Sequence, residues 1–522
     1  MPRLTKSFLD KLRDAAAKLR ALKGGKRLLA AFIFGGLTAT AYAPINFFPI
    51  LWISFPALIF LLQGTVNWKQ AFAVGWMFAF GGFFFGLYWI ADSMFVDIAQ
   101  FWWAVPLALC GLPIFFALYY GAGMVLARRA GLQGITGAVT FALFWFLADY
   151  ARGHVVTGFP WNLEGYTWAR VLPVLQLASI TGVYDVTLIT VLIASLPAVL
   201  VDKNRIGKWT VAAGIVLLLA IAGWGGVRLA YAPMVSQPHV RIRLVQPNTD
   251  QAHKWDINEL DTHFQELLDL SSAPAAQPIT HVIWPETAAT FYLAEDDRHR
   301  DMIASHIPQG GALMTGVIRR ELNADNKINY YNSMVALDDH ARIVAGYDKV
   351  HLVPFGEYIP MRSLLKWRTL ANLGLDFSMG EGLRSLRVPG LPSFSPLICY
   401  EAIFPGEVIE RDDRPHFLVN ITNDGWYGHT AGPYQHFANV KVRAIEEGLP
   451  LVRAANTGVS GVVDPYGRVV ARLGVGNKGF IDSSLPQNIA PTFFARMRET
   501  SLWVIYLLLA LAVLVGKSRS RV

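Results

Sequence analysis

The sequence predicts an α/β protein built on a transmembrane bundle of eight helices, with one large α/β domain inserted between the seventh and eighth. Three observations carry this. Apolar runs long enough, or nearly so, to cross about 30 Å of hydrocarbon recur along the chain. Basic residues collect on alternate connections between them. One long stretch, 232–495, has the opposite character, with short strand-like runs alternating with helical ones.

Composition agrees. Hydrophobic residues make up 53% of the 522, and charged residues 16%, against roughly 25% in soluble domains. Mean hydropathy is positive. The first 27 residues hold nine Lys/Arg and two acids, a local +7 within a net charge of +8. Lying directly before an apolar run, this terminus (1–26) reads as a cytoplasmic anchor at an anionic lipid surface. No nucleic-acid partner is expected. The segment lacks a small-residue cleavage site, so it does not read as a cleaved signal peptide.

The apolar runs fall at 27–44, 48–64, 70–91, 102–127, 134–150, 181–201, 209–227 and 501–516. With the N-terminus inside, the cytoplasmic connections carry Lys69, then Arg128 and Arg129, then Lys203, Arg205 and Lys208. The tail adds Lys517, Arg519 and Arg521. The opposite connections hold Asp92 and Asp97 and few basic residues. This is the positive-inside pattern. It places seven spans in 27–231, and the eighth span with a basic tail in 496–522. Both termini are then cytoplasmic and 232–495 is extracytoplasmic, in the periplasm of a cell with two membranes. Asp92 and Asp149 lie near span ends and not at midplane, so no ion path is indicated.

Within 232–495, HVRIRLVQP (239–247), THVIWPE (280–286), GALMTGVI, SPLICYE, FLVNITND and LPLVRAAN read as buried strands. YYNSMVAL with RIVAGYDK, and the halves of GVVDPYGRVV, read as hairpins. INELDTHFQELLDL (257–270), HRDMIASHI and FANVKVRAIEEG have helical spacing. Strands that are apolar without alternation suggest a sheet covered on both faces, with function at the strand ends.

Three chemistry-bearing residues close such strands: Glu286, Lys349 and Cys399. A cysteine is the strongest nucleophile available near neutral pH, as thiolate. A carboxylate can take its proton, and an ammonium can stabilise both thiolate and oxyanion. Taken singly, each has an ordinary reading as well: a small core residue, a solvated strand end, a surface lysine. Cys110 lies in an apolar run and Cys399 in polar sequence, so a disulfide between them is not expected. No Cys/His spacing suits zinc, and neither metal nor cofactor is expected.

Four motifs in order, WPET, DKVHLVPFGEYIP, ICYEAIFP and TNDGWYG, resemble the carbon–nitrogen hydrolase (nitrilase) superfamily over most of 239–480. The resemblance implies a four-layer αββα sandwich with Glu286 as general base, Lys349 as oxyanion stabiliser and Cys399 as nucleophile. The whole chain resembles one branch, the apolipoprotein N-acyltransferases. TGFPWNLEGY (157–166), HKWD with Trp255, Glu357 eight residues beyond Lys349, and Tyr400 and Glu401 beside the nucleophile all match that branch.

The resemblance implies a phospholipid acyl donor, most plausibly phosphatidylethanolamine, a diacylglyceryl-apolipoprotein acceptor, and a thioester on Cys399 shielded from water. Supporting roles fall to Glu357 near Lys349, and to Tyr400 and Glu401 at the nucleophile loop. Trp255 and Trp426 suit an apolar–polar boundary. Asn423 and Asp424 suit a loop over the site. A membrane-tethered amidase with water as acceptor, and a non-catalytic lipid-binding protein, remain as other readings at this point.

Overall fold

A computed structural model describes residues 2–202, 206–360 and 376–519. Lys203, Arg205 and Arg521 of the basic connections lie outside these residues. The chain divides into two compact units. One comprises residues 1–91, 103–232 and 493–522, and the other 92–102 and 233–492.

The first unit is helical. All eight apolar runs lie largely or wholly in helix, from Gly24–Thr38 to Thr500–Arg519. Length and apolarity single out fewer as spans. Among the described residues, Leu107–Ala130, Gly134–His154, Ala178–Val201 and Ile206–Ala230 are long and apolar enough to cross a membrane. A fifth is added if Trp68–Gly86 and Tyr88–Ala104, bent by 48° at a break, count as one. Phe48–Gln63 is apolar but shorter. At 1.5 Å per residue it reaches only about 24 Å. Leu502–Val515 is shorter still. Hydropathy sees composition, whereas these lengths are set by where the helices break.

Gly24–Thr38 and Trp68–Gly86 approach backbone to backbone. A Cβ on Gly35 would lie 1.8 Å from the Phe78 carbonyl oxygen, and one on Gly81 would lie 2.3 Å from that of Phe32. Only glycine permits this crossing.

The second unit is a pair of mixed sheets. The strands are β1 (Ser236–Gln246), β2 (His281–Ile283), β3 (Ala312–Leu322), β4 (Ile328–Asp338), β5 (Ile343–Asp348), β6 (Phe394–Ile398), β7 (Phe417–Thr422), β8 (Leu451–Ala455), β9 (Ser460–Val463), β10 (Val469–Leu473) and β11 (Gly479–Pro486). One sheet runs β11-β1-β2-β3-β4-β5 and the other β10-β9-β8-β7-β6. β1–β2–β3 and β6–β7–β8 pair in parallel, the latter reaching the β6 edge of its sheet, and the remaining neighbours are antiparallel.

Both faces of both sheets are apolar, which hides the alternation in the sequence. Ile242, Leu244, Met314, Met334, Ile398, Val419 and Val452 share the core between the sheets. Val245, Val282, Leu313 and Val335 face the other way, against Phe264, Leu267 and Ile303 of helices Leu260–Ser272 and Asp297–Ala304. On the far side Leu397, Leu418 and Leu451 meet Phe437, Val440 and Ala444 of helix Gly432–Glu447. The order is therefore helix, sheet, sheet, helix.

Two hairpins share one turn chemistry. Asp338 accepts backbone N–H from His340 (3.0 Å) and Arg342 (2.9 Å) and pairs with the Arg342 side chain. Asp464 does the same with Tyr466 and Arg468. These are Asx turns with an arginine clasp.

Strand β11 is not legible in the sequence, since KGFIDSSLP runs Phe480–Ile481 apolar and then Asp482 to Ser484 polar, with no alternation. Its register is fixed by Asp482, opposite Arg243 and bonded to it through both oxygens at 2.8 Å. Strand β2 stops at Ile283, so Glu286 lies three residues beyond it and not at its end.

Candidate active site

The three nominated residues meet inside the second unit, each just past a strand that supplies its rigidity. Glu286 follows β2, Lys349 follows β5 and Cys399 follows β6. All three are buried, with relative exposures of 6%, 1% and 5%.

Lys349 Nζ donates to Glu357 Oε1 at 2.9 Å and lies 3.6 Å from Glu286 Oε1. The Asn332 amide bridges the two acids, donating to Glu286 Oε1 at 2.8 Å and to Glu357 Oε1 at 2.7 Å. Glu286 Oε2 accepts the Asn423 backbone N–H at 2.8 Å, and Glu357 Oε2 accepts that of Val353 at 2.7 Å. Burial works against the Lys349 charge. The carboxylates of Glu357 and Glu286 outweigh it and hold the ammonium above its ordinary value. Lys349 is thus a fixed cation and not a proton acceptor.

Glu286 owes its place to Gly316 on β3. A Cβ there would lie 2.3 Å from the Thr287 nitrogen and 2.6 Å from the Glu286 Cα. Gly316→Ala is expected to push this backbone off the site. Turnover should fall about 100-fold, the scale of a 1 Å misplacement. Comparing turnover with the melting temperature of the variant checks this, and an alanine variant with normal turnover would contradict it.

Cys399 opens a short 3-10 turn, Cys399–Ile403, with φ +51°. That left-handed backbone is uncommon for a residue with a Cβ and costs energy unless its surroundings impose it. Glu401 imposes it. Its Oε2 accepts the Ile398 N–H at 2.7 Å, while Oε1 accepts from the Tyr347 hydroxyl (2.7 Å), the Val350 N–H (2.7 Å) and the His351 N–H (3.2 Å). One carboxylate so ties the Cys399 turn to the segment that carries Lys349. Burial raises Glu401 to about 7 against these donors. Tyr400 is buried with its ring edge-on to Phe404 at 5.0 Å.

The Cys399 thiol is pushed up to about 12, by burial first and then by Glu286, with Lys349 opposing. It is therefore protonated at rest. Glu286→Gln removes one of these raising influences. Alkylation of Cys399 in this variant should move to lower pH while turnover falls steeply to a residual, measurable rate. An unchanged alkylation profile would contradict the assigned proximity.

Beneath Cys399 lies a buried polar network that no motif in the sequence announces. Asp424 accepts from Arg453 Nη2 at 2.8 Å, and its Oδ1 lies 2.8 Å from His436 Nδ1. His436 Nε2 in turn lies 3.3 Å from the Cys399 carbonyl oxygen. Burial opposes the Asp424 charge, but Arg453 and His436 draw its pKa down to about 2. Asp424 thus braces the floor of the site. The signal was present: an arginine inside the apolar run LPLVRAAN, and an asparagine inside YYNSMVAL, each need a buried partner.

Asn423 is buried and donates its amide to Gln251 Oε1 at 2.6 Å. Trp255 is half-buried beside Ile318, Leu352 and Phe377, together with Tyr292, Tyr330 and Tyr358. Trp426 is half-buried, and its carbonyl accepts the Ser93 hydroxyl at 3.0 Å. Thr157 to Trp161 belong to the first unit. There Arg152 donates to the carbonyls of Phe159 and Trp161 (the latter at 2.8 Å) and pairs with Asp149 at 3.0 Å.

Comparison with known proteins fits both units. Residues 34–196 match the family model of the apolipoprotein N-acyltransferase N-terminal domain, and residues 241–492 match that of the carbon–nitrogen hydrolases. An apolipoprotein N-acyltransferase of Rhodopseudomonas palustris is 40% identical over 95% of this chain and 96% of its own. That of Bradyrhizobium diazoefficiens is 40% identical over 98% of each. That of Brucella melitensis is 38% identical over 96% and 97%. Among solved structures, a Nesterenkonia AN1 amidase from the nitrilase superfamily aligns at 20% identity and a TM-score of 0.37, covering 53% of this chain and 99% of that one. With relatives this similar over nearly their whole length, the chain belongs to the apolipoprotein N-acyltransferase family.

Proposed function

We propose that this enzyme transfers a fatty acyl chain from a phospholipid to the N-terminal α-amine of the S-diacylglyceryl cysteine of apolipoproteins, through a thioester on Cys399. The observation that carries the reading is the meeting of Cys399 with Glu286 and Lys349 in a buried site, within a chain of this family.

The first half-reaction uses these groups in sequence. Glu286 takes the thiol proton as sulfur attacks the ester carbonyl of the donor, for which phosphatidylethanolamine is the proposed phospholipid. The Lys349 ammonium and backbone N–H groups receive the negative charge that develops on the carbonyl oxygen. The C–O bond breaks, Glu286 returns the proton to the departing oxygen, and lysophospholipid leaves. In the second half-reaction the neutral amine attacks the thioester. Glu286 takes a proton from nitrogen, the C–S bond breaks, an amide forms and the thiol is restored. A thioester kept in a buried site is protected from water. Glu357 and Asn332 hold Lys349 and Glu286 in place, and Glu401 with Tyr400 holds the nucleophile turn. Trp255, Trp426 and Asn423 are proposed to border the acyl chain and the loop over it.

The bilayer supplies both lipid substrates. We place the helices as eight spans in the bacterial inner membrane, with 1–26 and the tail of 496–522 cytoplasmic and 232–495 periplasmic. Loop charge and the apolar helices support this. A cysteine introduced by Met379→Cys, at an exposed position (64%), should react with a membrane-impermeant maleimide in intact spheroplasts. Labelling only after lysis would reverse the orientation.

Activity is tested by incubating the protein with phosphatidylethanolamine vesicles and a diacylglyceryl-cysteinyl peptide. The peptide should gain one acyl chain on its amine. Release of free fatty acid with no acylated peptide would make the enzyme a hydrolase.

A further inference from the structure

Lys254 is a buried cation that the reaction just described does not use. It is 4% exposed. Its ammonium donates to the backbone carbonyl of Glu286 at 3.1 Å and to the Thr287 hydroxyl at 2.6 Å, both neutral oxygens. Burying an ammonium on neutral partners is costly, and an apolar side chain of equal length would avoid that cost. Burial draws its pKa down to about 8, with the Glu286 carboxylate opposing.

The target of those bonds is the backbone of the proposed base. Thr287 has φ +47°, a conformation a β-branched residue rarely adopts unaided. The same segment grips the other end of Glu286. Gln251 holds the Asn423 side chain, and the Asn423 N–H holds Glu286 Oε2. The segment itself is anchored by paired bonds between Thr249 and Asn456, at 3.0 and 2.8 Å.

We propose that Lys254 is a positioning residue for the acyl transfer, pinning the Glu286–Thr287 peptide so that the Glu286 carboxylate faces the Cys399 thiol. Lys254 acts through Glu286 and touches neither donor nor acceptor. The inference rests on the reading of Glu286 as the base.

A double-mutant cycle on the full-length enzyme tests it, with phosphatidylethanolamine vesicles of a single acyl chain and the diacylglyceryl peptide. Lys254→Met keeps the length of the stem and removes the charge. It should lower kcat by about 10- to 100-fold and leave KM for the phospholipid within about twofold, since uniform binding is untouched. Adding it to Glu286→Gln should cause no further loss, because residues acting as a unit are not additive. Thr287→Val removes one of the two acceptors and should show a smaller kcat loss with the same KM, should Lys254→Met not fold. A normal kcat in both single variants, a rise in KM alone, or a full additional loss on top of Glu286→Gln would overturn the proposal. Full activity of Glu286→Gln by itself would instead overturn the base assignment.

Discussion

Cys399→Ala is expected to abolish acyl transfer, with a loss on the order of 10³-fold or more, and to leave the fold intact. The reasons for the two halves differ. Catalytically, the thiol is the sole group proposed to form the bond to the acyl chain, and alanine offers no electron pair. Structurally, the change removes one sulfur atom from a buried position whose backbone is held by Glu401 through Ile398, Val350 and His351. Those bonds do not involve the sulfur. Stability should therefore change by only about 1 kcal/mol, the small end of buried truncations. Transfer assays beside thermal melts in the same detergent check both halves. Residual transfer in a folded variant would remove Cys399 from the reaction.

Lys349→Met is expected to damage stability and activity together. Removing the ammonium leaves Glu286 and Glu357 facing each other, with the Asn332 amide still bridging both. An uncompensated buried charge of this kind costs about 3–5 kcal/mol. In the wild-type protein the folded-state pKa of Lys349 lies above the ordinary 10.5. Its contribution is therefore complete below pH 10.5 and is lost only as pH rises through the folded value. Near neutral pH the whole effect should be visible. Melting temperatures of both proteins between pH 5 and 8 measure this. Equal stability throughout would mean that Lys349 does not neutralise the acid pair.

That Cys399, Glu286 and Lys349 come together was legible because each sits just past a run of buried strand, and because their motifs occur in a specific order. Glu357 and Glu401 were legible through the same motifs. Their tasks were not, since sequence does not tell that Glu401 reaches back to the Lys349 segment. Asn332, Lys254, Arg453 and His436 were not nominated. Asn332 and Arg453 are polar within apolar sequence, and each is explained only by partners distant in the chain, such as Glu286 for Asn332 and Asp424 for Arg453. Strand β11 was hidden because its partner, Arg243 on β1, selects Asp482 by charge and not by apolar pattern. In the helical unit the apolar runs were found, but hydropathy did not register the break after Gly86. Nor did it register that 92–102 belongs with the α/β unit, where Ser93 bonds to the Trp426 carbonyl.

A thioester on Cys399 is detected by mass spectrometry. The purified full-length protein is incubated with phosphatidylethanolamine of one defined acyl chain, without acceptor, then digested and mapped. The peptide containing Cys399 should carry the mass of that chain, lose it on treatment with neutral hydroxylamine, and acquire it far more slowly in Glu286→Gln. An acyl chain found on another residue, or acylated lipopeptide formed by a protein that never carries the chain on Cys399, would contradict the mechanism.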